Sequence, residues 1–101
     1  MEQQQSSSKT LTRLRNRKPQ MYDVIILNDD YTTMDFVIMI LKTIFGKNHD
    51  EAVELTMFVH ENGEAVAGTY IYDIAQSKAD KATKLARDNG FPLQLTVNQK
   101  V

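Results

Sequence analysis

The sequence predicts an α+β fold: a single small domain in the order β-α-α-β-α-β, with three helices packed on a three-stranded, mostly antiparallel sheet. Three observations predict it. Three short segments carry apolar side chains with a period of two, three longer ones open on a capping residue and close at glycine, and 101 residues supply one core's worth of chain. Three strands are too few for a doubly wound sheet, so helices gathered on one face of a small sheet are the economical arrangement.

Residues 1–19 are rich in Gln and Ser, then basic, with only Leu11 and Leu14 as apolar anchors. Such a segment cannot bury enough surface to offset the entropy of ordering, so a disordered arm is expected, and the domain over residues 20–101. "QMYDVIILN" reads as a strand with Tyr22, Val24 and Ile26 on one face and Ile25 and Leu27 on the other, both largely covered. Thr32 with Asp35 reads as the cap of a first helix, and Lys42 and Gly46 suit its end. Asn48 with Glu51 is a capping-box pair for a second helix, running to Asn62-Gly63. "EAVAGTYIY" alternates Val66, Gly68, Tyr70 and Tyr72 against Ala65, Ala67, Thr69 and Ile71, a second strand. Asp73 with Gln76 reads as the cap of a third helix, along which Ala75, Ala79, Ala82 and Ala86 recur at helical spacing until Asn89-Gly90. "FPLQLTV" closes the sheet, with Phe91, Leu93, Leu95 and Val97 on one face.

Bulk composition excludes several functions. At 42% hydrophobic and 25% charged, with no apolar run near the 18 or so residues of a membrane span, the chain is expected to be globular and to bind no membrane. It has no cysteine, hence no disulfide framework or thiolate metal site, and its N-terminus has no apolar signal region, so a cytoplasmic location is expected. The net charge of -1 hides an asymmetry: residues 1–20 hold five basic residues against one acidic, and the rest hold seven against twelve. Nucleic-acid binding calls for a basic folded surface, and the body is acidic. There is no Gly-rich phosphate loop or nucleophile elbow, and His49 and His60 lack metal-motif spacing, so neither catalysis nor a cofactor is expected.

The candidate chemistry lies in "VIILNDDYTTMDFVIMILKTIF". Asn28-Asp29-Asp30 suits a turn, since Asn and Asp bond their own backbone, yet two adjacent carboxylates repel and favour a visiting cation. The helix that follows has nine apolar residues in twelve, from Met34 to Phe45, more than one core-facing stripe can use, so some of Met34, Val37 and Met39 should line a cleft. On the second helix Thr56, Val59 and His60 share one face, which a helical hairpin turns back toward the start of the first. An apolar pocket rimmed by an amide oxygen, carboxylates and an imidazole suits a cationic head on an apolar side chain. A peptide α-amino group fits, being mostly ammonium at neutral pH with a pKa of roughly 7.7 to 8 and three N–H donors. Neutral His60 would accept one, Asn28 a second, and Asp29 or Asp30 the third.

"MYDVIILNDDYTTMDFV", "AVELTMFVHENGEAVAG" and "NGFPLQL" resemble, in order and spacing across residues 20–98, the ClpS adaptor family of the bacterial N-degron pathway. The resemblance implies an adaptor that binds N-degron substrate proteins by their N-terminal residue and passes them to a Clp-type AAA+ unfoldase working with ClpP. It assigns the α-amino group to Asn28, Asp30 and His60, with Asp29 beside them. It assigns the side-chain pocket to Ile26, Leu27, Thr32, Met34, Val37, Val59 and Leu93, with Leu, Phe, Tyr and Trp as occupants. It maps docking on the N-terminal domain of a ClpA- or ClpC-like unfoldase to the second strand's end and the start of the third helix, including Asp73 and Lys78, and assigns residues 1–19 to delivery. A monomer is expected.

Two positions depart from the family pattern. Thr56 stands where Met usually closes the pocket against β-branched residues, and Met57 points about 100° away around the helix, so a roomier mouth is expected. Thr33 stands where many members begin the helix with Pro. The competing reading, a ribosomal-stalk-like interaction domain, needs no acceptor-lined pocket.

Overall fold

The computed structural model describes residues 19–101; the arm expected over residues 1–19 lies, through residue 18, outside the described residues. The elements are β1 (Met21–Leu27), α1 (Met34–Thr43), α2 (His49–Asn62), β2 (Glu64–Ile71), α3 (Tyr72–Asp88) and β3 (Gln94–Gln99), in the expected β-α-α-β-α-β order. The sheet runs β2-β1-β3 with both pairings antiparallel.

Placing β1 in the centre explains why it is the most apolar strand. Val24 and Ile26 are fully buried, whereas Asp23, Ile25 and Leu27 are only partly covered. The expectation of two covered faces is met only in part: among the described residues the second face of β1 is half-buried, as in a sheet whose helices gather on the other side.

β2 also departs from strict alternation. Val24 pairs with Gly68 but Ile25 pairs with Val66, so Ala67 is an extra residue in the edge strand. The bulge puts Ala65 and Ala67 into the core and still returns Gly68 to the core face opposite Val24. The Tyr70 ring lies over Gly68, where a β-carbon would sit 2.6 Å from the ring carbon bearing the hydroxyl, so any side chain at 68 would have to displace that ring.

α3 touches all three strands. Its Ala75, Ala79, Ala82 and Ala86 are at most 3% exposed, and their small side chains let the helix axis approach the sheet closely. A Schellman exit ends it: Gly90 has φ +77° and the Phe91 N–H returns to the Ala86 carbonyl. α2 has the full capping box of Asn48 and Glu51 and a left-handed Gly63 at its end, as expected. Two caps differ from expectation. α1 is capped by the Thr33 hydroxyl, which accepts from the Phe36 N–H, because the Thr32 hydroxyl is taken by Asp29. α3 begins directly after β2 with Ile71 at its cap and no side-chain bond, so Asp73 lies in the first turn, where it complements the helix dipole instead.

Candidate functional site

The site forms where the end of β1 meets the end of α2. The Asn28 N–H donates to the Gly63 carbonyl (2.8 Å), a backbone clasp between the two. The left-handed Gly63, φ +91°, turns the chain so that this carbonyl is available and His60 lies one turn upstream.

The adjacent aspartates separate in role. Asp29 Oδ1 accepts from the Tyr31 N–H (2.8 Å) and the Thr32 N–H (2.7 Å), and Oδ2 accepts from the Thr32 hydroxyl (2.7 Å). Asp29 is thus the hub that shapes the turn. Among the described residues, the side chains of Asn28, Asp30 and His60 make no hydrogen bond, and all three are exposed.

Partial burial pushes the Asp29 carboxyl up, but donation from Thr32 and Tyr31, with the Arg87 charge nearby, more than reverses this and leaves its pKa below the ordinary value. A carboxyl with a depressed folded pKa stabilises fully above its unfolded value, about 3.9, and that contribution is lost as pH falls through the folded value. Asp29→Asn is therefore expected to cost on the order of 1 kcal/mol at neutral pH and to flatten the fall in stability below roughly pH 5. Thermal unfolding from acid to neutral pH checks this; an unchanged acid limb would show that Asp29 is not the group responsible.

Beside the turn is a cavity of about 230 Å3, lined by Asn28, Asp29, Asp30, Thr32, Met34, Val37, Thr56, Val59 and His60. That is below the roughly 300–1,000 Å3 of pockets for drug-sized ligands and suits a single side chain. Its rim is polar and its walls apolar. Val37 and Val59 are buried, and Met34 is 40% exposed at the mouth. The Thr56 hydroxyl donates back to the Ala52 carbonyl (2.7 Å), so Thr56 offers the cavity chiefly its methyl group.

Three residues expected in this wall are elsewhere. Ile26 and Leu93, at 0% and 1% exposed, belong to the core beneath, Ile26 on the inner face of the central strand. Leu27, one residue along, alternates to the other side and lines a neighbouring cleft of about 330 Å3 with Tyr31, Pro92 and Gln94, the turn forming the partition. Met39 lines neither cavity.

Asp73 and Lys78 are not equivalent. Asp73 is exposed beside Ile71, Tyr72 and Ile74, which are 42%, 51% and 45% exposed, an apolar patch at the β2–α3 junction. The Lys78 ammonium instead donates to the Ile44 carbonyl (2.8 Å) and lies 5.1 Å from the Tyr70 ring centroid. It holds the C-terminal end of α1 against α3, favourably placed for the helix dipole.

Arg87 escaped the sequence reading. Its Nη1 donates to the carbonyls of Phe91 (2.9 Å) and Leu93 (2.7 Å), fixing the loop into β3, and its charge reaches Asp29. A cation in the last turn of a helix signals a carbonyl partner but not which distant acid it faces. Among the described residues no three His, Asp or Glu side chains gather as a metal site, and no helix is long and apolar enough to cross a membrane.

The family described as ATP-dependent Clp protease adaptor protein ClpS matches residues 17–96. The ATP-dependent Clp protease adapter protein ClpS of Clostridium acetobutylicum is 54% identical over 82 residues, 81% of each chain. Its namesake from Nautilia profundicola is 51% identical over 81 residues, 80% of this chain and 84% of its own. Among solved structures, Agrobacterium tumefaciens ClpS2 bound to L-phenylalaninamide is 40% identical with a TM-score of 0.79, over 82% of this chain and 100% of that one. A β-α-α-β-α-β domain with a polar turn across a cavity from a helix-borne histidine, matched at this identity over four-fifths of its length, belongs to the ClpS family of adaptors of the ATP-dependent Clp protease.

Proposed function

We propose that this adaptor captures the free α-amino group and first side chain of N-degron substrates, with Leu, Phe, Tyr or Trp at the N-terminus, and delivers them to a Clp-type AAA+ unfoldase. The observation that carries it is the cluster of Asn28, Asp30 and His60 side chains, unengaged among the described residues, at the rim of a one-side-chain cavity. The Asn28 amide oxygen and neutral His60 each accept an ammonium N–H, and Asp30 takes the third with charge assistance. The first side chain then enters among Met34, Val37, Thr56 and Val59, where burying it contributes roughly 1.5–3 kcal/mol. L-Phenylalaninamide, the ligand named for the Agrobacterium relative, carries this combination of free α-amine and apolar side chain, which supports the reading. The exposed Ile71-Tyr72-Ile74 patch with Asp73 is the surface offered to the unfoldase's N-terminal domain, with Lys78 bracing it from within. Calorimetric titration with short peptides beginning with Phe or Leu tests the reading, and absence of binding overturns it.

Thr56 sets the selectivity. A β-branched first residue is widest at its Cβ, near the mouth, and the short Thr56 leaves room there. Peptides beginning with Ile are expected to bind within about tenfold of those beginning with Leu, and Thr56→Met to widen that gap by roughly another tenfold. The same ratio before and after substitution would remove Thr56 from the account.

A further inference from the structure

Half of the domain's twelve acidic residues fall in one stretch that carries no basic residue. Between Lys47 and Lys78 the sequence holds Asp50, Glu51, Glu54, Glu61, Glu64 and Asp73 and no Lys or Arg, and this stretch is α2, β2 and the start of α3. Within it lies a groove of about 320 Å3 lined by Lys47, Glu51, Glu54, Leu55, Phe58 and Val66. Phe58 and Val66 are 52% and 44% exposed, an apolar floor left in water. At about 100° per residue, Glu51, Glu54, Leu55 and Phe58 centre roughly 140° around α2 from Thr56, Val59 and His60, and the two cavities share no lining residue, so the groove is separate from the amine site.

The chain supplies a complementary occupant. Residues 9–18, KTLTRLRNRK, set Leu11 and Leu14 three apart among Lys9, Arg13, Arg15, Arg17 and Lys18. Residues 1–20 carry +4 (five basic, one acidic) and residues 21–101 carry -5 (seven basic, twelve acidic). The segment also reaches. It joins β1 at Met21, which pairs with Ile71, and Val66 is five residues along β2 from there, roughly 17 Å. Extended chain spans roughly 20 Å from Gln20 to Leu14 and 30 Å to Leu11.

We propose that residues 9–18 dock onto the α2–β2 groove of their own chain, with Leu11 and Leu14 against Leu55, Phe58 and Val66 and the arginines against Glu51 and Glu54. Lys47, at the groove's edge, is its one like-charged lining residue. The tether holds the arm at roughly millimolar effective concentration, so contacts too weak for a free peptide suffice, and they weaken with salt. A docked arm is withheld from partners until something competes for the arm or the groove.

The chain has no cysteine, so Thr12→Cys in the full-length protein gives a single site for a nitroxide label. At low salt, about 20 mM, the amide signals of Leu55, Phe58 and Val66 are expected to fall to roughly half their diamagnetic intensity, independently of protein concentration, and to recover at about 0.5 M salt. They are also expected to recover in Leu11→Ser/Leu14→Ser, a change confined to the arm, and in Glu54→Lys/Phe58→Ser, at exposed positions. Even attenuation over the whole surface, attenuation centred on another face, growth with protein concentration (a second copy as occupant), or indifference to the leucine substitutions would each overturn the proposal.

Discussion

N-acetylation of a peptide beginning with Phe or Leu is expected to lower its affinity for this adaptor by about 100-fold or more. The modification removes the positive charge and two of three N–H donors while leaving the side chain intact. Charged hydrogen bonds contribute roughly 1.5–3 kcal/mol each, so losing two costs about 3 kcal/mol at the least. Substitutions divide that loss among the acceptors. Asp30→Ala removes the charge partner and is expected to weaken binding roughly 10- to 30-fold, the lower figures at high salt because the rim is exposed. His60→Ala is expected to cost roughly 10-fold, the low end for a bond from a charged donor, because the rim is exposed. Asp29→Asn is expected to change affinity less than about threefold, because its oxygens are already engaged by Tyr31 and Thr32. Titrations at one fixed salt concentration check the series. Equal binding of free and acetylated peptides would refute the amine site, and a larger loss at Asp29 than at Asp30 would reverse their roles.

Ile26→Ala is expected to destabilise the fold by about 2–5 kcal/mol while leaving the preference among N-terminal residues unchanged. Ile26 is 0% exposed on the central strand, between Ala65 of β2 and Leu95 of β3, and it contributes nothing to the cavity wall. Truncating it opens a void in the core that the small side chain of Ala65 beside it cannot fill. In a domain of this size such a loss is a large fraction of total stability. Urea unfolding should show a lower midpoint at unchanged slope, and the Ile-to-Leu affinity ratio should stay at the parent value under native conditions. A changed ratio with intact stability would return Ile26 to the pocket.

The order of elements was legible because each boundary carries its own chemistry: Asn48 with Glu51, Gly63 and Gly90 are local signals that the structure obeys. Failures came where two adjacent residues offered the same chemistry. Thr32 and Thr33 are equal as caps in sequence, and only the prior claim of Asp29 on the Thr32 hydroxyl decides for Thr33. In β2, the run Ala65-Val66-Ala67-Gly68 has too little side-chain contrast to reveal a bulge that shifts the register against β1. Asp73 and Gln76 resemble a cap, but β2 runs straight into α3 and leaves no loop for one.

The site was legible as a set and less so in its anatomy. Helical spacing alone puts Thr56, Val59 and His60 on one face, and the structure brings them to the Asn28-Asp29-Asp30 turn. Residue chemistry alone could not separate the two aspartates, which only the family resemblance told apart, since the donors that engage Asp29 are mostly backbone groups without a residue-type signature. Nor could it exclude Ile26, Leu27 and Leu93. All are apolar and near the turn, and only strand pleating and packing decide which of them meets the cavity.

The clasp between the Asn28 N–H and the Gly63 carbonyl is a bond between main chains. The span of the cavity's mouth is therefore a property of the scaffold, set by backbone atoms whichever side chains line it. Position 63 is held to glycine by its left-handed turn, whereas Met34, 40% exposed at the mouth, can vary without touching the clasp. The cavity can thus be reshaped at its mouth while the distance across it stays the same.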